Sequence, residues 1–391
     1  MRFFRPSFLI GVSASVYTAV NGLNILISND DGFGTANIRE LYKAMKAFGH
    51  NVYIVASVTN QSGMGGISTY TKDRNLTSDS EFGIVKKGAN SIGTDPNDSH
   101  IWYFNGTPSS CVQTTYSLDI RTSRPSISSC SGPNYGWNLG PFLYTLAGTL
   151  GATYTAVERG IPAIGISGGY SVQTPYYDVN TTTKAGLKDP ATIMAQLSAN
   201  LAQQLIASVA AQGGGPLLPL GYGINVNIPY ITSFTNDSCV NPPFIQSRMT
   251  GDADVDYAAF NETTGLFSYQ NLVEPGTNQC INGDCSLPGE TAILNVGCQS
   301  AVSVFTVDYD APIGGACKSG PDVRSWLTPL VQYANSSVLV GGLNGTSTGN
   351  ATVSSAPVPS ASTSPIASSG GMKRSASDYA LLVGFAVMML I

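Results

Sequence analysis

The first third of the chain alternates short apolar runs with polar turns and one amphipathic stretch. Residues 23–27 and 52–56 are mainly apolar and predict two buried strands. Between them, apolar residues recur at helical spacing over 36–48, and Gly49 predicts the end of that helix. A strand, a turn, a helix and a second strand in this order form a βαβ unit, which predicts an α/β fold with a parallel sheet.

The same alternation continues further along the chain. Residues 148–159 and 190–211 predict two more helices, and the second begins at Pro190. Residues 161–166 and 224–229 predict buried strands. Alternating apolar and polar residues over 301–307 indicate a hairpin region instead.

Both ends of the chain resemble targeting segments. Arg2 and Arg5 precede a short apolar run, which predicts a signal peptide at 1–22. Small residues, a polar spacer and an apolar end predict a GPI-attachment signal at 371–391, with a short tail-anchor helix as the alternative. The Ser/Thr/Pro-rich stretch 331–370 predicts a glycosylated stalk, so the folded domain is expected at 23–330.

Composition supports an extracellular location at the plasma membrane or cell wall. Charged residues make up 11% of the chain, against a usual share of about 25%. The net charge is -5 without a Lys/Arg cluster, which argues against a nucleic-acid polymer as partner. With two histidines the chain fits no Cys/His zinc pattern.

Seven cysteines predict disulfides, most of them in 239–317. Asn-x-Ser/Thr sequons, some of which arise by chance in so Ser/Thr-rich a chain, begin at Asn60, Asn75, Asn97, Asn105, Asn180, Asn236, Asn261, Asn335, Asn344 and Asn350.

Asp30 and Asp31 are the first candidates for chemistry. They follow the first predicted strand, and open α/β sheets bind ligands at the carboxyl ends of their strands. Adjacent carboxylates repel each other, so a divalent cation with oxygen ligands is their natural partner. Taken alone, two acids before a glycine also fit an ordinary polar turn.

Seven ordered segments resemble the SurE family of survival-protein nucleotidases, within residues 23–310 and most closely within 23–170. They are Ile-Leu-Ile-Ser-Asn-Asp-Asp-Gly at 25–32, Asn-Gln-Ser-Gly at 60–63, Asn-Gly-Thr-Pro-Ser-Ser-Cys-Val at 105–112, Ser-Gly-Pro-Asn-Tyr-Gly-Trp-Asn-Leu-Gly at 131–140, Gly-Thr-Leu-Gly-Ala at 148–152, Gly-Ile-Pro-Ala at 160–163 and Ile-Asn-Val-Asn-Ile-Pro at 224–229.

The resemblance implies a metal-dependent phosphomonoesterase. The metal-binding aspartates of the family correspond to Asp30 and Asp31, its serine ligand to Ser62 and its asparagine ligand to Asn134. The two aspartates are also the expected catalytic residues. The family implies Mg or Mn as cofactor, phosphate monoesters (chiefly nucleoside monophosphates) as substrates, and dimers or tetramers. Its fold is a Rossmann-like three-layer core with an extended C-terminal hairpin.

Backbone amides of glycine-rich segments are expected to bind the phosphate. The candidate substrate-binding residues are Gly63, Gly148 and Thr149, although the glycines also fit plain turns. Two positions depart from the family pattern: Ser110 replaces an acid, and Ala147 replaces a serine. A glycan on Asn60 would crowd the site, so that sequon is expected to be unoccupied.

Two alternatives compete with this prediction. Gly165 to Gly169 fit a Gly-x-Ser-x-Gly esterase elbow around Ser167, but His50 and His100 both precede that serine, whereas the esterase fold places its histidine afterwards. The other alternative is a non-catalytic cell-wall binding or adhesion protein on the same scaffold. A test for metal-dependent activity distinguishes the enzyme from this binding protein.

Overall fold

The computed structural model describes residues 22–115, 117–118, 127–170, 172–180, 186–231, 239–251, 255–272, 279–280 and 283–310. The predicted stalk and GPI signal lie outside these ranges, and so does the predicted signal peptide except for its last residue. In the described part, no helix is long and apolar enough to cross a membrane. Of the described residues, those up to Tyr257 and those from Asn271 onward form one compact unit, and Ala258–Gln270 form a second.

Six α-helices and eleven β-strands make up the regular structure of the described residues. The helices are α1 Ala36–Ala47, α2 Pro108–Thr114, α3 Gly140–Leu146, α4 Gly148–Glu158, α5 Pro190–Ala211 and α6 Glu290–Val296. The strands are β1 Asn24–Ser28, β2 Asn51–Ser57, β3 Ile92–Asp95, β4 Asp98–Phe104, β5 Ile127–Tyr135, β6 Ala163–Gly168, β7 Tyr222–Ile228, β8 Phe244–Ser247, β9 Val255–Asn261, β10 Leu266–Leu272 and β11 Ser300–Thr306.

Nine strands form one mixed sheet in the order β3-β4-β2-β1-β5-β6-β7-β11-β8. Strands β4, β2, β1, β5, β6 and β7 run parallel to their neighbours, while β3 and β11 pair antiparallel with β4 and β7. The strand order reverses at β1, which has β2 on one side and β5 on the other. Ligands of open α/β sheets bind at such a switch point, outside the carboxyl ends of the strands.

Helices cover both faces of the sheet, so the core has three layers. On one face α1 and α5 pack on an apolar cluster that includes Ile25, Ile27 and Ile54. On the other face α2 and α4 pack on Leu26 and Val55. Adjacent residues of β1 therefore enter opposite layers, as the alternation of side chains along a strand requires. The predicted Rossmann-like α/β fold with a mainly parallel sheet is confirmed.

The C-terminal part differs in one respect from its prediction. Strand β11 lies inside the large sheet, between β7 and β8, rather than in a hairpin. Strands β9 and β10 form the hairpin instead. The described residues of the second unit, Ala258–Gln270, are the outer part of this hairpin. Strand β11 alternates buried and exposed side chains, because one face of the sheet is open there.

Two disulfides join cysteines of the C-terminal part. Cys239 bonds Cys298, and Cys280 bonds Cys285. Both lie in the 239–317 region where most bridges were predicted. Cys111 and Cys130 are free and buried in the core, whereas the seventh cysteine lies outside the described residues.

A buried acid anchors this C-terminal part to the parallel core. Glu290 begins α6 and is completely buried. Its Oε2 accepts a hydrogen bond from the Gly140 backbone N–H at 2.8 Å, and its Oε1 accepts one from Asn225 Nδ2 at 2.9 Å. The Ser303 hydroxyl is a third partner. None of the ion pairs formed by the described residues includes Glu290, so burial raises the pKa of its carboxyl to about 7.

This raised pKa predicts a pH-dependent stability. The folded protein holds the Glu290 proton between pH 4.5, the ordinary value for a glutamate, and about 7. The contribution of this carboxyl group to the free energy of unfolding is complete below pH 4.5 and is lost as the pH rises through about 7. We expect Glu290→Gln to remove a pH-dependent change of about 3 kcal/mol in the free energy of unfolding over this window.

Urea unfolding at several pH values between 4 and 8 measures the effect. Glu262→Gln, which removes an exposed carboxylate from the turn between β9 and β10, is the control. Parallel pH curves for wild type and Glu290→Gln would contradict the prediction.

Candidate active site at the carboxyl end of strand β1

The turn after β1 places two adjacent aspartates at the switch point. Asn29 closes this turn, because its Oδ1 accepts the Gly32 N–H and its Nδ2 donates to the Gly32 carbonyl, both at 3.2 Å. Gly32 has a φ of 108°, a conformation that favours glycine. Asp30 and Asp31 are 2% and 0% exposed. The local sequence therefore buries two carboxylates side by side.

Asp30 caps helix α4 from a different element. Ala147 stands at the N-cap of α4 and offers no capping side chain. The Asp30 carboxylate accepts hydrogen bonds from the backbone N–H groups of Gly148 and Thr149, and the Thr149 hydroxyl donates to Asp30 Oδ1 at 2.6 Å. A negative charge at a helix N-terminus is stabilised by the unpaired N–H groups and the helix dipole.

Gly148 allows this close approach. A Cβ at position 148 would lie 2.8 Å from Asp30 Cβ and 3.0 Å from Pro108 Cγ. Real Cβ atoms essentially never come within 3.0 Å of another heavy atom in this way, so a larger residue would push α4 and Asp30 apart. Gly148 and Thr149 therefore lie at the predicted site. Their N–H groups are directed at Asp30 in this structure, whereas the sequence predicted that they bind phosphate.

Asp31 is held by neutral donors from the opposite side. The Tyr135 backbone N–H donates to Asp31 Oδ2 at 3.2 Å. Gln173 Nε2 donates to Asp31 Oδ1 at 2.5 Å. Gln173 belongs to residues 172–178, which we call the strap; it follows β6 and crosses over the start of α1.

Ser62 lies on a loop that is bonded to the Asp30 backbone. The Gln61 N–H donates to the Asp30 carbonyl at 2.6 Å. Because Ser62 is the next residue, this bond keeps it near the aspartate turn. The Ser62 N–H donates to Asn60 Oδ1 at 2.8 Å, and the Asn60 N–H donates to Glu81 Oε2 at 3.2 Å. Ser62 is exposed and available to a ligand. Gly63 beside it has a φ of 79° and open space around it.

Asn134 is oriented with its oxygen available. Its Nδ2 donates to the Gly136 carbonyl at 2.9 Å and to the Tyr135 carbonyl at 3.3 Å. Both contacts occupy the amide nitrogen, which leaves Oδ1 as the atom offered to a cation. Tyr135, the next residue, donates its N–H to Asp31, so strand β5 brings Asn134 to the aspartate pair.

A polar network fixes the loop that follows Asn134. Asn138 donates its N–H to Asn227 Oδ1 and its Nδ2 to Ser167 Oγ, each at 2.8 Å. The Asn138 carbonyl accepts the side-chain amides of Asn225 and Asn227 at 3.0 Å. Glu290 completes the network at Gly140. The asparagines of β7 are thus structural residues that hold the Asn134 loop against the sheet.

The esterase alternative finds no support in this geometry. Ser167 is 0% exposed and accepts the Asn138 amide, so its oxygen is not presented to a substrate. His50 is also occupied: its Nδ1 accepts the Leu23 N–H, and its Nε2 pairs with Gln203 Oε1. His100 stacks on Tyr53 and lies beside Asp98. None of these histidine contacts is with Ser167.

The two residues that depart from the family pattern have local roles. Ser110 is buried, and its hydroxyl donates to the Thr107 carbonyl at 2.7 Å in the first turn of α2. Ala147 precedes α4, where Asp30 supplies the missing cap.

The electrostatics of the site favour a cation. None of the ion pairs formed by the described residues includes Asp30 or Asp31. Burial raises the pKa of Asp30. Burial and then the charge of Asp30 raise the pKa of Asp31 well above its usual range. Two buried carboxylates that lack a positive partner are stabilised by a bound cation.

The donor set fits a hard divalent ion. Among the described residues, no group of three or more His, Cys, Asp or Glu side chains is arranged to hold a metal. The candidate ligands are instead two carboxylates, an alcohol and an amide oxygen, from Asp30, Asp31, Ser62 and Asn134. Oxygen-only ligands suit Mg²⁺ and Mn²⁺ rather than Zn²⁺.

Three residues around the aspartates were not found from the sequence. They are Gln173, Tyr135 through its backbone, and Glu81, whose carboxylate holds the Ser62 loop. Each comes from a separate part of the chain. Their residue types carried no signal beyond ordinary polar loops.

The Thr149 bond to Asp30 predicts a measurable loss of stability. Thr149→Val keeps the side-chain shape and removes the hydroxyl donor of a buried carboxylate, so we expect the free energy of unfolding to fall by about 1.5–3 kcal/mol. Thr153→Val is the matched control: Thr153 is equally buried on α4, and its hydroxyl donates to the Thr149 carbonyl. Its expected loss is smaller, about 0.5–1.5 kcal/mol. Urea unfolding measures both, and equal losses would contradict a charge-assisted bond.

Comparison with known proteins identifies the family. Residues 25–248 match the family described as Survival protein SurE. An acid phosphatase of Yarrowia lipolytica is 41% identical over 294 residues, which cover 74% of this chain and 80% of that protein. A 5′-nucleotidase SurE of Desulfovibrio desulfuricans is 32% identical over 146 residues, 37% of this chain and 49% of that protein. The crystal structure of the SurE protein from Aquifex aeolicus is similar with a TM-score of 0.47 and 20% identity, over 73% of this chain and 94% of that one. Because the family match spans more than half of the sequence, the chain belongs to the SurE family.

Proposed function

We propose that this protein hydrolyses phosphate monoesters in the manner of an acid phosphatase and 5′-nucleotidase, and that it depends on a divalent cation, Mg²⁺ or Mn²⁺. The observation that carries this proposal is the buried pair Asp30 and Asp31, which neutral donors hold at the switch point of the sheet. The names of the relatives, acid phosphatase and 5′-nucleotidase SurE, support the same reaction.

Asp30, Asp31, Ser62 and Asn134 would hold the cation. When bound, the cation supplies positive charge that offsets the charge of the phosphate and acidifies the attacking water. The protein contributes a rigid frame. Asn134 Nδ2 is fixed by two carbonyls, and the Ser62 loop is fixed by Asn60 and Asp30.

One of the two carboxylates also orients the attacking water and accepts its proton. Such a group must lie within hydrogen-bond reach of the water and be able to change its protonation state. Gly63, Gly148 and Thr149 are the candidate phosphate-binding residues; Gly63 has open space around it, and the amides of Gly148 and Thr149 face Asp30.

Hydrolysis of p-nitrophenyl phosphate and of 5′-nucleotides tests the proposal. We expect activity that EDTA abolishes and that Mg²⁺ or Mn²⁺ restores. Asp30→Asn and Asp31→Asn each remove a charge from the cation and are expected to lower kcat/KM by about 100-fold or more. Glu262→Gln, an exposed carboxylate outside the site, is the control and should keep wild-type activity.

Two results would overturn the proposal. Wild-type turnover in both aspartate variants would exclude their catalytic role. Absence of turnover from acidic to neutral pH, in folded protein with metal present, would favour a non-catalytic binding scaffold.

We also propose that the protein is secreted and tethered to the cell surface. The 1–22 and 371–391 patterns support this location. The pairs Cys239–Cys298 and Cys280–Cys285 support an oxidising compartment, since disulfides persist there. We expect deletion of 371–391 to release the protein into the medium, while the full chain stays on intact cells. An immunoblot of cells and medium measures this, and retention of the deletion variant inside the cells would contradict the proposal.

A further inference from the structure

The strap is attached to the start of α1 by its backbone. The Ala36 N–H donates to the Thr174 carbonyl, and the Tyr176 N–H donates to the Gly34 carbonyl, both at 2.9 Å. Thr35 and Pro175 form an isolated β-bridge. Because the aspartate turn leads directly into α1, these bonds fix the strap relative to Asp31.

A buried arginine adds a second attachment. The Arg39 guanidinium bonds the Asp95 carboxylate at 2.6 Å and the Phe33 carbonyl at 2.7 Å, and the Arg39 and Asp95 side chains are 7% and 2% exposed. Its planar group lies over the Tyr176 ring at 4.5 Å from the centroid. A guanidinium already held by two partners is a rigid surface for stacking an aromatic ring. Tyr176 thereby anchors the strap on the α1 side.

Gln173 connects the strap to the Asp31 carboxylate. Gln173 Nε2 donates to Asp31 Oδ1, and the Tyr135 N–H donates to Oδ2. Each oxygen of this carboxylate thus has one neutral donor from a separate element. A neutral donor restricts the rotation of the carboxylate and leaves its charge in place for a cation, whereas a lysine or arginine would cancel that charge.

We propose that Gln173 is a positioning residue of the cation site: through its hydrogen bond to Oδ1, the strap holds the Asp31 carboxylate in the orientation that binds the divalent ion. The inference rests on the proposed metal dependence and adds a residue to it. Groups that orient a ligand in this way change metal affinity by about 10–100-fold when they are removed.

Calorimetric titration of the metal-free full-length protein with Mn²⁺ tests the inference without substrate. Gln173→Met keeps the length of the side chain and loses the donor, and we expect its Mn²⁺ affinity to fall by at least about 10-fold. Gln173→Glu also lacks the donor and places a third negative charge beside Asp31. Its affinity should fall as well if the role is positioning. Gln196→Met, the same substitution at an exposed position of α5, should bind like wild type.

Steady-state kinetics give an independent readout. At saturating Mn²⁺, the KM of Gln173→Met for p-nitrophenyl phosphate should stay within about twofold of wild type, because the residue acts on the metal ligand. Tyr176→Ala should weaken Mn²⁺ binding in the wild-type background and add little in the Gln173→Met background, since both changes interrupt one chain of contacts.

The outcomes separate this inference from the proposed function. If the wild-type protein binds no Mn²⁺, the metal dependence itself fails. If the wild type binds Mn²⁺ and Gln173→Met binds equally well, with an unchanged melting temperature, the positioning role is overturned. If Gln173→Met does not fold, Gln173→Asn, which keeps the amide but shortens its reach, replaces it with the same expected loss.

Discussion

The burial of two adjacent carboxylates is the constraint on which the rest of this site depends. Asp30 and Asp31 lie where the strand order reverses, and none of the ion pairs in the described part of the chain includes them. Burying a charge is costly unless it is hydrogen-bonded or paired. The protein supplies hydrogen bonds from α4, β5 and the strap, all of them from neutral groups. The charge is therefore left for a cation, as the proposed metal-dependent hydrolysis requires.

The same site depends on polar contacts that lie deeper in the fold. Strand β5 sets the position of Asn134, and the loop after it is held by Asn138, the asparagines of β7 and Glu290. Glu290 and its partner Ser303 come after the span matched to the SurE family. The C-terminal part of the chain thus supports the loop of Asn134, a candidate ligand that belongs to the N-terminal part. Buried hydrogen-bond networks of this kind make a core more rigid and help to specify one arrangement of it.

Most of the parallel core could be predicted from local pattern. Helix α5 occupies Pro190–Ala211 as predicted, α1 ends one residue earlier than predicted, and β1 is shifted by one residue at both ends. Strand β5 was not predicted, although it pairs with β1 at the centre of the sheet. Its serines at 128, 129 and 131 are buried, so it shows no apolar run. Hydrophobic periodicity detects strands that bury apolar side chains, and this one buries hydroxyls.

The sequence by itself determined the βαβ core, the acid pair after β1 and, through ordered motifs, the candidate ligands Ser62 and Asn134. These features are local, because each rests on a short run of neighbouring residues. Only the tertiary structure decided that Asp30 caps α4, that Ser167 is buried, and that Gln173 bonds Asp31 from 142 residues away. Such contacts join distant segments through the packing of the sheet and its two helical layers, and a single sequence carries no periodicity or spacing that records them.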